Sequence, residues 1–193
     1  MSKTVWREEI RGFAYGIFFV SVFGFVWAAM GSSALPDGSL VVLAASVFVS
    51  LALISAAFYL RRASRFLPES PQGAMSPATW RRFQLVGVAQ GMAIGAAVFV
   101  LVRLGRPEWI PAVVALIVGL HFFPLASIFR LPLYHASGAL LCAVAALAPI
   151  PALVFDARAA WFVIPGLGCA LVLWATGAVL VVSGFRLARE TKA

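Results

Sequence analysis

The residue in this sequence best suited to chemistry is His121, in Gly119-Leu-His-Phe-Phe-Pro124. An imidazole titrates between pH 5 and 8 in its ordinary state, so it can relay a proton, orient a solute or hold a hydrogen bond. Apolar residues run on either side of it, which places it deep in a membrane helix. An ionisable group there is costly and must face a partner or a watery cavity. Pro124 cannot donate to the carbonyl of Leu120, which predicts a helix kink beside the imidazole. At ~1.5 Å per residue, His121 stands about 13 Å from the inner helix end at Arg130. On neighbouring spans Gln90 lies about 12 Å from Arg82, and Cys142 about 13 Å from Leu133. Ser21, Ser50 and Thr176 share that level. These depths predict a polar layer of His121, Gln90, Cys142 and Thr176. As a functional site it would pass a solute or proton, with His121 titrating and Gln90 fixing its tautomer. As a structural feature it reduces to one His–Gln hydrogen bond between two helices.

Other combinations carry less. His121 with Cys142 is the one conceivable base–nucleophile pair, and no acidic residue is at hand to orient the imidazole. All seven carboxylates (Glu8, Glu9, Asp37, Glu69, Glu108, Asp156 and Glu190) fall in loops or tails, which argues against a carboxylate-based, ion-coupled pump. Bis-histidine haem ligation by His121 and His135 founders on depth, because His135 is near the inner interface. No cofactor and no metal site is expected. Cys142 and Cys169 lie at different depths, so no intramolecular disulfide is expected either. Arg130, Tyr134 and His135 form an inner-interface cluster that would hold a lipid or substrate phosphate, or simply anchor the helix end.

The elements that must position these residues follow from composition. Of 193 residues, 63% are hydrophobic and 11% charged, and the mean hydropathy is +0.99. A soluble domain is about 45–50% apolar and about 25% charged. Six apolar stretches, near the ~20 residues that cross a bilayer, cover roughly 13–30, 40–60, 83–102, 109–129, 133–155 and 161–185. The expected fold is all-α: a single polytopic membrane domain over 1–193, with about six transmembrane helices and an inner loop at 61–82. The first stretch is read as a span and not as a cleaved signal, because Glu8 and Glu9 precede it and its apolar run is too long.

Charge sets the orientation. With the N-terminus inside, Lys3, Arg7, Arg11, Arg61, Arg62, Arg65, Arg81, Arg82, Arg130, Arg186, Arg189 and Lys192 face the cytoplasm, while Arg103, Arg106 and Arg158 lie outside. Twelve against three places both termini in the cytoplasm. The net charge of +8 therefore reports topology and contact with anionic headgroups, not nucleic acid. Trp109 and Trp161 open the fourth and sixth spans as outer interfacial anchors.

Small residues predict the packing, since close backbone approach drives association in lipid. Gly87, Gly91 and Gly95 recur at four-residue intervals in the third span, Gly12 and Gly16 lead a stripe in the first, and Gly138 leads one in the fifth. The odd-numbered spans are expected to pack together at the centre. Three echoes, ending Phe58-Tyr-Leu-Arg61, Phe129-Arg-Leu131 and Phe185-Arg-Leu187, suggest three helical hairpins.

The segment Gly-Leu-His-Phe-Phe-Pro-Leu-Ala at 119–126, followed by Arg130, Pro132 and Tyr134, resembles one found in a family of small, uncharacterised bacterial multi-pass membrane proteins. The resemblance implies a bacterial inner-membrane location and no particular activity. Three functions remain. The first is a small-solute permease or channel built on the His121 layer. The second is a regulatory, sensing or assembly membrane protein, with a homo-oligomer or another membrane protein as partner. An intramembrane lipid-acting enzyme comes third.

Overall fold

A chain in hydrocarbon must satisfy its backbone internally, and helices do so within each segment. The computed structural model describes residues 6–35, 39–70 and 75–190, and these carry helices and no strands. Lys3, Lys192 and the loop residues Pro36, Asp37, Gly38 and Pro71 lie outside the described residues. The helices are α1 (Arg7–Ser32), α2 (Ser39–Ala63), α3 (Pro77–Arg103), α4 (Ile110–Phe129), α5 (Leu133–Leu147), α6 (Pro149–Val154) and α7 (Ala160–Glu190). Six stretches are long and apolar enough to cross a membrane, α5 and α6 together forming the fifth. The protein is thus a multi-pass, all-helical membrane protein.

Local chemistry explains the boundaries. Ser76 caps α3, its side chain accepting from the Thr79 N–H at 3.2 Å, with Pro77 in the first turn. This is the pairing that favours a helix start. α4 closes on Arg130 in the left-handed conformation (φ 54°), and Pro132 prevents continuation. The fifth span, expected over 133–155, is found at Leu133–Val154 with one interruption in its helical hydrogen bonding. Pro149 and Pro151 supply no N–H, so the chain breaks at Ala148 into α5 and the short α6.

Consecutive spans do pack as pairs, α1 on α2, α3 on α4 and α5 on α7, but the most extensive seam is α1–α7, and α4–α5 is as extensive as α1–α2. The expectation of odd-numbered spans at the centre is corrected: α7, the sixth span, holds that place and touches α1, α2, α4, α5 and α6. Its Cys169, Ala170, Leu173 and Leu180 are buried in an apolar cluster shared with those neighbours. Two glycine crossings bring backbones together. A Cβ on Gly31 of α1 would lie 3.0 Å from the Gly166 Cα of α7 and 2.9 Å from the Leu167 nitrogen. A Cβ on Gly138 of α5 would lie 2.8 Å from the Gly119 carbonyl oxygen of α4.

The third span behaves differently. No residue of α3 is buried, and its main partner is α4. Added Cβ atoms at Gly87, Gly91 and Gly95 would meet nothing within 4 Å, and the same holds at Gly12. These four are not packing residues within this chain. α3 turns its bulkier stripe, Phe83, Val86, Gln90 and Ile94, toward α4, where larger side chains make more dispersion contacts than glycines can. Gly16 and Gly138 do pack closely, Gly16 against the Tyr134 hydroxyl and Leu180.

At the end of the bundle that holds the start of α1, the chain is clasped. The Arg7 guanidinium donates to the Leu67 and Arg65 carbonyls at 3.2 Å each and pairs with Glu69. Glu8 accepts from the Ser70 N–H at 2.9 Å. The stretch after α2 is thereby tied to α1, within what reads from sequence as a single loop over 61–82. α2 also runs on to Ala63.

Candidate functional site

The four residues expected to form a polar layer occupy three separate helix seams. His121 is half-buried between α3 and α4, and its polar neighbour across that seam is the Val86 backbone. Its Nδ1 is buried without a hydrogen-bond partner among the described residues. Gln90 lies one turn beyond Val86 on the same half-buried face of α3, but it does not satisfy that nitrogen. Cys142 faces a different seam: its sulfur is 2.7 Å from where a Cβ on Gly119 would stand. Gly119 and His121 point about 200° apart around α4, so the thiol and the imidazole diverge and form no base–nucleophile pair.

Thr176 belongs to a third seam. Its hydroxyl is 2.7 Å from that of Ser137, joining α7 to α5. Each hydroxyl is also within reach of a carbonyl of its own helix, Val172 at 2.7 Å and Leu133 at 3.0 Å. A second connected set links α7, α2 and α1. The Trp174 indole donates to Ser50 Oγ (3.1 Å), Ser50 donates to the Ser21 carbonyl (3.2 Å), and Ser21 Oγ donates to the Ile17 carbonyl (2.6 Å). Trp174 and Ser137 are absent from the sequence-based layer. The signal for Trp174 was available, since an indole N–H inside an apolar bundle needs an acceptor.

The remaining expected residues also separate. Pro124 is exposed, and α4 runs through it to Phe129. Tyr134 is buried, its ring edge-on to Phe122 (5.5 Å) and Phe129 (6.2 Å). His135 is exposed beside Phe123 (6.0 Å), and Arg130 is exposed at the helix end. The three therefore do not converge on one ligand-sized pocket.

A half-open concavity lies at the other end of the bundle, away from the clasped α1 start. It encloses about 940 Å3 between the α3–α4 and α6–α7 connections. Arg106, Glu108 and Trp109 line one side, and Asp156, Arg158 and Trp161 the other. Trp109 and Trp161 contact each other with ring centroids 4.6 Å apart. Trp161 is buried, so these indoles are a packed pair as well as candidates for the interface. Comparison with protein-family models, curated proteins and solved structures finds no match to this chain.

Proposed function

We propose that this chain is a non-enzymatic regulatory, sensing or assembly protein of a bacterial inner membrane, with both termini cytoplasmic. The observation that carries this reading is the dispersal of His121, Cys142 and Thr176 into three packed seams. A solute path or an active site needs its polar groups to converge on one space. Here they mostly join helices. α3, with no buried residue, supports the assembly form of the reading. The twelve-to-three distribution of basic residues supports the orientation and contact of the cytoplasmic face with anionic headgroups. Arg61 lies 6.0 Å from the Tyr15 ring at a groove between α1 and α2 that would admit such lipid. The resemblance around His121 supports the bacterial location.

A small-solute permease is the second reading. It is favoured by the unpartnered His121 Nδ1 and by Gln90 on the same seam. One experiment separates the two. His121→Cys is introduced into a Cys142→Ala/Cys169→Ala background, and oriented vesicles are treated with a membrane-impermeant maleimide. Absence of labelling until denaturation is the expected result. Labelling from one side would bring water to the α3–α4 seam and reinstate the permease.

A further inference from the structure

Two connections of different sequence bring the same three kinds of side chain to the far-end cavity. The α3–α4 turn supplies Arg106, Glu108 and Trp109, and the approach to α7 supplies Asp156, Arg158 and Trp161. The two indoles, inclined at 53°, form an aromatic wall. Each guanidinium is near the carboxylate of its own turn, at 3.7 Å for Arg106–Glu108 and 3.8 Å for Arg158–Asp156. Pairs this long and this exposed hold each other weakly. A guanidinium has five N–H donors in a fork that fits phosphate or carboxylate, and most of them stay available. The carboxylates likewise remain open to a cation, and the half-buried Trp109 offers part of its indole beside them, with the buried Trp161 packed behind it.

Charge balance narrows the ligand. Two cations and two anions line one space, so a simple anion meets as much repulsion as attraction, and so does a simple cation. A molecule carrying both charges is matched. Leu101, Leu153 and Phe162 complete the lining with apolar surface, which would accept an alkyl portion. We propose that this cleft binds a zwitterion made of a phosphate and an ammonium. The guanidiniums of Arg106 and Arg158 take the phosphate, and the carboxylates of Glu108 and Asp156 with the half-buried Trp109 indole take the ammonium. Phosphoethanolamine chemistry fits, whether it arrives as a lipid headgroup or as a free soluble ester.

The test uses the full chain in nanodiscs of phosphatidylglycerol alone. Glycerophosphoethanolamine and glycerophosphoglycerol are titrated in separately, followed by calorimetry and by the fluorescence difference between the native chain and Trp109→Phe. A second arm incorporates phosphatidylethanolamine into the disc. Saturable binding of the ethanolamine ester, about tenfold or more tighter than the glycerol ester, is expected. The Arg106→Gln/Arg158→Gln variant should lose about as much. Asp156→Asn, at a side chain 88% exposed, should weaken discrimination between the esters without disturbing the fold. Binding of the soluble ester identifies a free zwitterion as sufficient. A response confined to the lipid arm identifies the headgroup within the bilayer. Equal binding of both esters, retention of binding in the double arginine variant, or no response in either arm would overturn the proposal.

Discussion

Replacing Gly119 with alanine tests the α4–α5 contact most directly. The new Cβ would lie 2.7 Å from Cys142 Sγ, 2.9 Å from the Cys142 nitrogen and 3.0 Å from the Gly138 carbonyl oxygen. Two of these atoms are backbone and cannot rotate away, so α4 and α5 must separate by about half an ångström, forfeiting part of their dispersion contact. Overpacking of this kind costs about 1–3 kcal/mol. Alanine's higher helix propensity returns up to about 1 kcal/mol. The net expectation is a loss of about 1–2 kcal/mol, a five- to thirtyfold shift toward the unfolded state. Gly91→Ala is the internal control: nothing lies within 4 Å of its added Cβ, so its effect should be neutral or stabilising by up to about 1 kcal/mol. Reversible unfolding by SDS in mixed micelles, followed by circular dichroism, measures both. Equal effects at the two positions, or a Gly119→Ala variant as stable as the native chain, would show that the α4–α5 backbones are not in contact.

Three further outcomes follow from the geometry. In a double-mutant cycle, Ser137→Ala and Thr176→Val should show a coupling of about 0.6 kcal/mol and not above ~1.7, the range for interhelical hydrogen bonds in membranes; independent effects would mean that the 2.7 Å contact contributes no pairwise energy. Arg7→Gln should release the stretch from Arg65 to Glu69, read as faster proteolysis there with little change in SDS resistance of the bundle. With the orientation set by the basic residues, a fluorescent protein fused after residue 193 should be bright and an alkaline phosphatase fused there inactive; the opposite pattern would invert the topology.

The spans were legible because hydrocarbon imposes a length and an apolar composition that any reading of the chain meets at once. The pairing of helices was harder to read. Glycine spacing marks where a backbone can approach another, but it does not name the partner. Gly87, Gly91 and Gly95 have the most regular spacing and meet nothing, whereas Gly166 makes the closest crossing from within a stretch whose spacing looks irregular. Depth calculations also had a limit. They put Ser21, Ser50 and Thr176 at one level with His121, yet depth carries no information on azimuth, and azimuth separates His121 from Cys142. The far-end cleft draws on two connections about fifty residues apart. Only tertiary packing brings Trp109 and Trp161 together.

The central place of α7 has a consequence for biogenesis. Synthesis runs from the N-terminus, so α1 enters the membrane with Gly31 and Gly24 exposed and without the helix that will cover them. At about 5–20 residues per second, α7 follows roughly 10–30 seconds later. During that interval the five earlier spans form a partial bundle lacking its shared core. α1 and α2 can pair, and so can α4 and α5, but the two halves have little to join them until α7 inserts. Premature termination before residue 160 would therefore leave two loosely associated helix groups, a form that membrane quality control could recognise by its uncovered glycine faces. α7 is made after the helices that it joins.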